Sequence, residues 1–198
     1  MGSRSPRRAL LLREAGFVFT QTDPPYVDPA EPDVGATVSA EVVAVRLAVR
    51  KADSVDTDSL VPGAVLLAAD TVGVTAGGRL LGTPETADAA RAMLRSLVGR
   101  SHRIVTGIAL RGGGRPSESW GDAAEVTLGS VSEVGIEAYI AGGGWRGKAG
   151  GYNLAERQAA GWPIAVDGDP GTVMGLPMRR LVPRLAAWEV VPRAIGGR

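Results

Sequence analysis

Apolar side chains recur along this chain at two spacings, and each spacing predicts an element. Ser5 can cap a helix, Pro6 suits the first helical position and Gly16 suits a left-handed C-terminal residue, so residues 6 to 15 are predicted helical. Val42, Val45, Val49 and Ala52 repeat at helical spacing behind Ser39 or Thr37, predicting a second helix over 40 to 53 with Lys51 on its last turn. Ala90, Met93, Leu94 and Leu97 follow the i, i+3, i+4, i+7 rule between Thr86 and Gly99, which predicts a third. Ser132 is expected to cap a helix through Ala141, and Pro177 to begin a final one that Pro183 kinks or interrupts.

Strand signals lie between these helices. Phe17 to Thr22 is a run of β-formers, followed by Pro24, Pro25, Pro29 and Pro32, which exclude a regular element. Ala64 to Ala69 is an unbroken apolar run, the pattern of a strand buried on both faces, and it stops at Asp70 and Thr71. That predicts a carboxylate at the carboxyl end of a strand, where ligands collect in open α/β sheets. Val72 to Thr75 and Arg79 to Leu81 flank Ala76-Gly77-Gly78 as a small hairpin. Arg103 to Arg111 and Ala124 to Val131 read as two further strands joined by the polar loop 112 to 122.

Composition narrows the chemistry more than the fold. The 198 residues are 44% hydrophobic, enough for a core, and 22 basic against 21 acidic side chains give a net charge of +1. That balance argues against a nucleic-acid partner. No segment approaches the roughly 20 apolar residues that span a bilayer, and no secretory signal opens the chain, so a cytoplasmic location and no membrane partner are expected. There is no cysteine and His102 is the single histidine, which removes thiolate nucleophiles, disulfides and His/Cys metal centres. Any metal is then held by oxygen ligands, which suits a divalent cation such as Mg²⁺ or Mn²⁺ arriving on phosphates.

Three places can carry such chemistry. Ser3-Arg4-Ser5-Pro6-Arg7-Arg8 gathers two hydroxyls, three guanidinium groups and the N–H groups of a helix start, a phosphate cradle or simply a capped basic terminus. Asp70 is either a functional acid or a structural strand end, and His102 reads more readily as a satisfied strand residue than as a catalyst. Gly142 to Lys148 has P-loop spacing, but Ala149 replaces the metal-binding hydroxyl and Gly150-Gly151 would not continue as a helix.

In order, these pieces resemble the Maf family of nucleotide pyrophosphatases. The matching segments are Ser3 to Arg8, Ala48-x-x-Lys51-Ala52, Ala69-Asp70-Thr71-Val72, Gly82-x-Pro84, His102-x-x-Val105-Thr106-Gly107, Lys148-Ala149-Gly150-x-Tyr152 and Val173-x-Gly175-Leu176-Pro177. They cover essentially the whole chain. The resemblance implies one elongated α/β domain with a strongly curved mixed sheet, helices on its flanks, a cleft between two lobes, and commonly a homodimer. It implies hydrolysis of a nucleoside triphosphate to monophosphate and diphosphate. Asp70 would be the general base and a metal ligand, and Ser3, Ser5, Arg7, Arg8, Lys51, Thr71 and Lys148 would bind substrate. Arg7 and Thr71 resemble the dTTP/UTP branch.

Four positions depart from the family pattern. An apolar strand normally precedes the Ser-rich opening, so a start site placed too far downstream is expected. Thr83 stands where a lysine is usual, and Ala155 occupies the register of a base-reading glutamine, beside Glu156. Asp28, with Glu31 nearby, is the nearest match to an acidic pair in the first loop. A nucleotide-binding or division-regulating protein without efficient turnover is the competing reading, and a purely structural domain is another.

Overall fold

The computed structural model describes residues 1–26, 38–57, 60–112 and 114–193. Asp28, Glu31, Pro29, Pro32 and Thr37 fall outside the described residues. The helices are α1 (Pro6–Glu14), α2 (Ala40–Asp53), α3 (Ala87–Leu97), α4 (Glu133–Ala141), α5 (Leu154–Ala159), α6 (Pro170–Met174) and α7 (Met178–Ala187). The strands are β1 (Val65–Thr75), β2 (Leu80–Leu81), β3 (Arg100–Gly112), β4 (Glu118–Leu128) and β5 (Ile164–Asp167). Side chains of Ser5, Ser39, Thr86 and Ser132 each accept from a backbone N–H of the first turn and so fix four helix starts.

The five strands form one open sheet in the order β2-β1-β3-β4-β5, and every ladder within it is antiparallel. Among the described residues, parallel pairing is confined to single bridges from Gly2 to Thr22 and to Ala68. The apolar run in β1 is therefore not the signature of a parallel strand. It arises because helices cover both faces of an antiparallel one: Leu66, Ala68 and Val72 pack with residues of α2, while Leu67 and Ala69 join a cluster with Leu11, Leu12, Leu181 and Leu185 from α1 and α7.

One expectation is corrected here. Asp70 does not terminate a strand: β1 continues to Thr75, and Asp70 sits mid-strand opposite Gly107. Antiparallel pairing with β3 carries the backbone on through residues whose polarity had suggested an end. The same effect lengthens β4, where Ser119 to Asp122 were expected in a loop but pair with β3 from Thr106 to Ala109. Phe17 to Thr22, conversely, makes among the described residues only the bridge from Thr22 to Gly2. Pro183 lies inside α7 without interrupting it. No helix among the described residues is long and apolar enough to cross a membrane.

One glycine sets how closely α2 lies on the sheet. Asp70, Gly107 and Gly121 form one row across β1, β3 and β4. A Cβ on Gly107 would stand 2.2 Å from the Ala44 carbonyl oxygen, so only glycine admits the helix at this depth. That approach brings Lys51, one turn beyond Ala48, over Asp70.

Candidate active site

The site lies at the outer edge of β1. Gly2 bridges to Ala68, β2 begins pairing at Gly73, and no described strand covers the edge between them. A cavity of about 280 Å³ opens there, lined by Ser5, Arg7, Arg8, Lys51, Asp70 and Thr71 among others. Because successive side chains of a strand alternate in direction, Asp70 faces α2 while Thr71 faces α1 and α6, and the cavity at the edge reaches both.

Asp70 and Lys51 form an ion pair in which neither side chain is more than 13% exposed. The ammonium also lies 5.9 Å from the centre of the Tyr26 ring. On the other face Arg8 is held by three groups: Nε donates to the Gly175 carbonyl at 3.0 Å, Nη1 to Ser3 Oγ at 3.2 Å and Nη2 to Thr71 Oγ1 at 3.1 Å. Gly175 reaches this position with a left-handed φ of 103°, and a Cβ there would stand 2.7 Å from Arg8 Nε. The chain of hydroxyls behind Thr71 has a fixed direction. Thr106 Oγ1 gives its proton to the Thr172 carbonyl at 2.7 Å, so it accepts from Thr71 at 2.8 Å, leaving the Thr71 oxygen to accept from Arg8. Thr172 in turn donates to Asp122.

Arg7 differs from its neighbour. It is exposed, lines the cavity, and has no ion-pair or hydrogen-bond partner among the described residues. From sequence both arginines were expected to bind substrate. Geometry separates them into one that braces the site and one whose guanidinium is available to an anion.

Of the residues singled out from sequence, Ser5, Arg7, Arg8, Lys51, Asp70 and Thr71 meet in this cavity. Ser3 and Lys148 are absent from its lining. Ser3 is buried behind Arg8 and lines a smaller adjoining cavity that shares Arg8 and Lys51 with the first. Lys148 sits between the lining residues Gly147 and Ala149, with its ammonium on Glu156. Gly142 to Lys148 leads into a single 3₁₀ turn, Ala149–Gly151, and not into the helix a P-loop requires. The Gly150 N–H donates to the Gly82 carbonyl at 3.0 Å, which docks this turn beside Thr83, another lining residue.

Asn153, Leu154 and Met174 also line the cavity, and no sequence signal had marked them. An asparagine followed three residues later by Glu156 is a helix-start signature that would have placed Asn153. His102 is buried, with Nε2 2.7 Å from the Tyr152 hydroxyl, and burial pushes its pKa down to about 4. Burial likewise raises the Tyr152 pKa. His102 thus supports a wall of the cavity through Tyr152 and does not itself line it.

Among the described residues, no three acidic or histidine side chains gather closely enough to hold a metal by themselves. One carboxylate beside a basic cavity fits Mg²⁺ or Mn²⁺, which keep waters and take remaining ligands from phosphate oxygens. Such a site is completed by its substrate.

The chain matches the Maf-like protein family model over residues 1–188. A dTTP/UTP pyrophosphatase of Salinibacter ruber is 39% identical over 94% of this chain and 89% of that protein. One from Symbiobacterium thermophilum is 38% identical over 93% and 91%, and one from Roseobacter denitrificans 38% over 90% of each. A family match running from the Arg8 brace through Asp70 to the end of α7, with relatives this similar along nearly their whole length, shows that the chain belongs to the Maf-like family.

Proposed function

We propose that this chain is a nucleoside triphosphate pyrophosphatase that hydrolyses dTTP, UTP or related modified nucleotides to the monophosphate and diphosphate. The observation that carries the reading is a carboxylate, Asp70, set among Arg7, Arg8, Lys51 and the hydroxyls of Ser5 and Thr71 in one cavity. The names of the relatives point to the same reaction.

In the proposed reaction water attacks the α-phosphorus, and the bond from that phosphorus to the bridging oxygen breaks, with its electron pair leaving on diphosphate. Asp70 takes the proton of the attacking water. Lys51 orients the carboxylate through their ion pair and sets a positive charge beside the phosphate oxygens. Arg7 is the cation best placed to neutralise the departing diphosphate, while Arg8 keeps Ser3, Thr71 and Gly175 in register around it. Lys148 joins the phosphates after leaving Glu156. Phosphoryl-type chemistry of this kind depends on positioning and charge neutralisation, which is what the residues supply. A divalent cation held by Asp70 and the phosphates would lower the charge on the reacting oxygens. A homodimer, on the strength of the sequence resemblance, and a cytoplasmic setting complete the proposal.

Asp70→Asn tests the reading, since it keeps the size of the side chain and removes the base. Diphosphate release from dTTP and UTP should fall by about 10²–10⁴-fold, the usual contribution of a general base, and chelation of divalent ions should suppress release by the unaltered protein. Undiminished release by Asp70→Asn would refute the assigned role. Nucleotide-induced stabilisation of the unaltered protein with no metal-dependent diphosphate release would instead favour a binding protein.

A further inference from the structure

The lining of the cavity has two chemical characters. Arg7, Arg8, Lys51 and Asp70 come from α1, α2 and β1 and carry charge. Ile104, Tyr152, Leu154 and Val173 all belong to or pack on a second hydrophobic cluster, built on α3, α4 and β4, and offer apolar surface. Charge suits phosphates, and an apolar wall suits a base. Asn153 stands within that apolar stretch and is the one amide among the described lining residues.

Its orientation is fixed by the helix it starts. Asn153 Oδ1 accepts from the backbone N–H of Glu156 at 3.1 Å, capping α5. A peptide N–H can only donate, so the oxygen must stay on that side, and a flipped amide would place two donors against each other. The amide nitrogen has no hydrogen-bond partner among the described residues. It is not one of the fully buried unsatisfied atoms either, although the residue is only 7% exposed. Asn153 is a lining residue of the cavity. Leaving a donor unpaired in such a place costs free energy unless a ligand takes it.

We propose that Asn153 reads the base: its Nδ2 donates to a carbonyl oxygen of uracil or thymine and meets the amino group of cytosine donor to donor. This rests on the nucleotide reading above and deepens it. Ala155, which stands where the family resemblance leads one to expect an amide, cannot form such a bond. The side chain two residues earlier supplies the donor from a capped, and therefore rigid, position.

The test is equilibrium binding of α,β-methylene UTP and α,β-methylene CTP, which are not cleaved between the α and β phosphates, measured by calorimetry with Mg²⁺ present. The unaltered protein should bind the UTP analogue about tenfold more tightly, the size of one neutral hydrogen bond. Asn153→Ser keeps a capping oxygen but gives the cavity no amide, and its preference should fall to near unity. Asn153→Asp keeps the cap and turns the donor into an acceptor. Its added charge weakens both nucleotides alike, so the ratio is what is read, and it should reach unity or invert. Thermal melts of both variants check folding, and either one suffices. A preference that survives in both, or one within about twofold in the unaltered protein, overturns the proposal. Diphosphate release from UTP is measured in parallel: base discrimination without release would leave Asn153 as the reader and remove the pyrophosphatase reading.

Discussion

Acid should weaken this fold through a single buried ring. His102 is 1% exposed on β3, its Nε2 is 2.7 Å from the Tyr152 hydroxyl, and the two rings meet edge to face at 5.8 Å. Its Nδ1 is buried with no hydrogen-bond partner. A proton added there would create a cation with an unsatisfied N–H, which is why burial pushes the pKa from 6.5 to about 4. The folded value is depressed, so above pH 6.5 neither folded nor unfolded chain holds the proton and nothing changes. Below pH 6.5 the unfolded chain binds it first, and stability is lost as pH falls towards 4 at about 1.4 kcal/mol per unit. Between pH 8 and 5 that amounts to about 2 kcal/mol, or roughly 4–8 °C in Tm for a chain of this length. Carboxylates also titrate in this range, so the difference between the unaltered protein and His102→Asn isolates the ring. Urea unfolding at pH 8, 6.5 and 5 measures it. Asparagine will lower stability at every pH, but the gap between the two proteins should narrow by about 2 kcal/mol on acidification. Curves that run parallel from pH 6.5 to 5 would show that the ring is not held neutral by its surroundings.

Two further predictions concern the frame of the site. Gly107→Ala should destabilise the protein by at least about 2–3 kcal/mol in urea unfolding, because its Cβ would meet the Ala44 carbonyl oxygen at 2.2 Å and α2 would have to lift. A loss below about 0.5 kcal/mol would contradict the close packing. The two arginines should separate in paired assays: Arg7→Ala raises KM for the triphosphate about tenfold with an unchanged melting curve, whereas Arg8→Ala loses three hydrogen bonds and costs about 2–3 kcal/mol of stability as well. Equal effects of both on stability would erase the distinction between brace and ligand.

Long periodic elements were legible in the sequence, and short or cross-paired ones were not. The boundaries of α2 match the apolar spacing, and the caps at Ser5, Thr86 and Ser132 identified three helix starts because a side-chain oxygen there has a local role, while of the two candidates Ser39 and Thr37 for α2 it is Ser39 that caps. The hairpin at Ala76-Gly77-Gly78 was legible for the same reason: its turn chemistry is local. Three short elements, α5, β5 and α6, stand where none was predicted. Yet α6 repeats the grammar of α1, with Asp169 capping, Pro170 at the first position and Gly175 left-handed at the end. Its five residues are too few for a period to show, so only the caps could have revealed it. Ser119 to Asp122 resisted for a different reason. Their strand conformation depends on pairing with β3, a contact that no local spacing encodes.

At the site, the grouping of residues was legible and the location of one was not. Arg7, Lys51 and Asp70, singled out from sequence, meet in one cavity, but Asp70 was placed at a strand terminus, and its position in the middle of β1 changes how precision is achieved. A side chain at a strand end inherits the mobility of the loop that follows. Asp70 instead has its backbone paired to β3 on both sides, Ala69 with Ile108 and Thr71 with Thr106, so the carboxylate is held by the sheet. Mid-strand residues are usually closed to ligands by neighbouring strands. Here β2 is two residues long and Gly2 covers only Ala68, so among the described residues the edge between them stays open to the cavity. Rigidity thus comes from the β3 side and access from the other. Gly107, across the sheet from Asp70, completes the arrangement, because it lets α2 descend until Lys51 reaches the carboxylate. A larger residue at position 107 would raise the helix and part that pair, so Gly107→Ala should depress turnover beyond what its loss of stability explains, even at temperatures where the variant is fully folded.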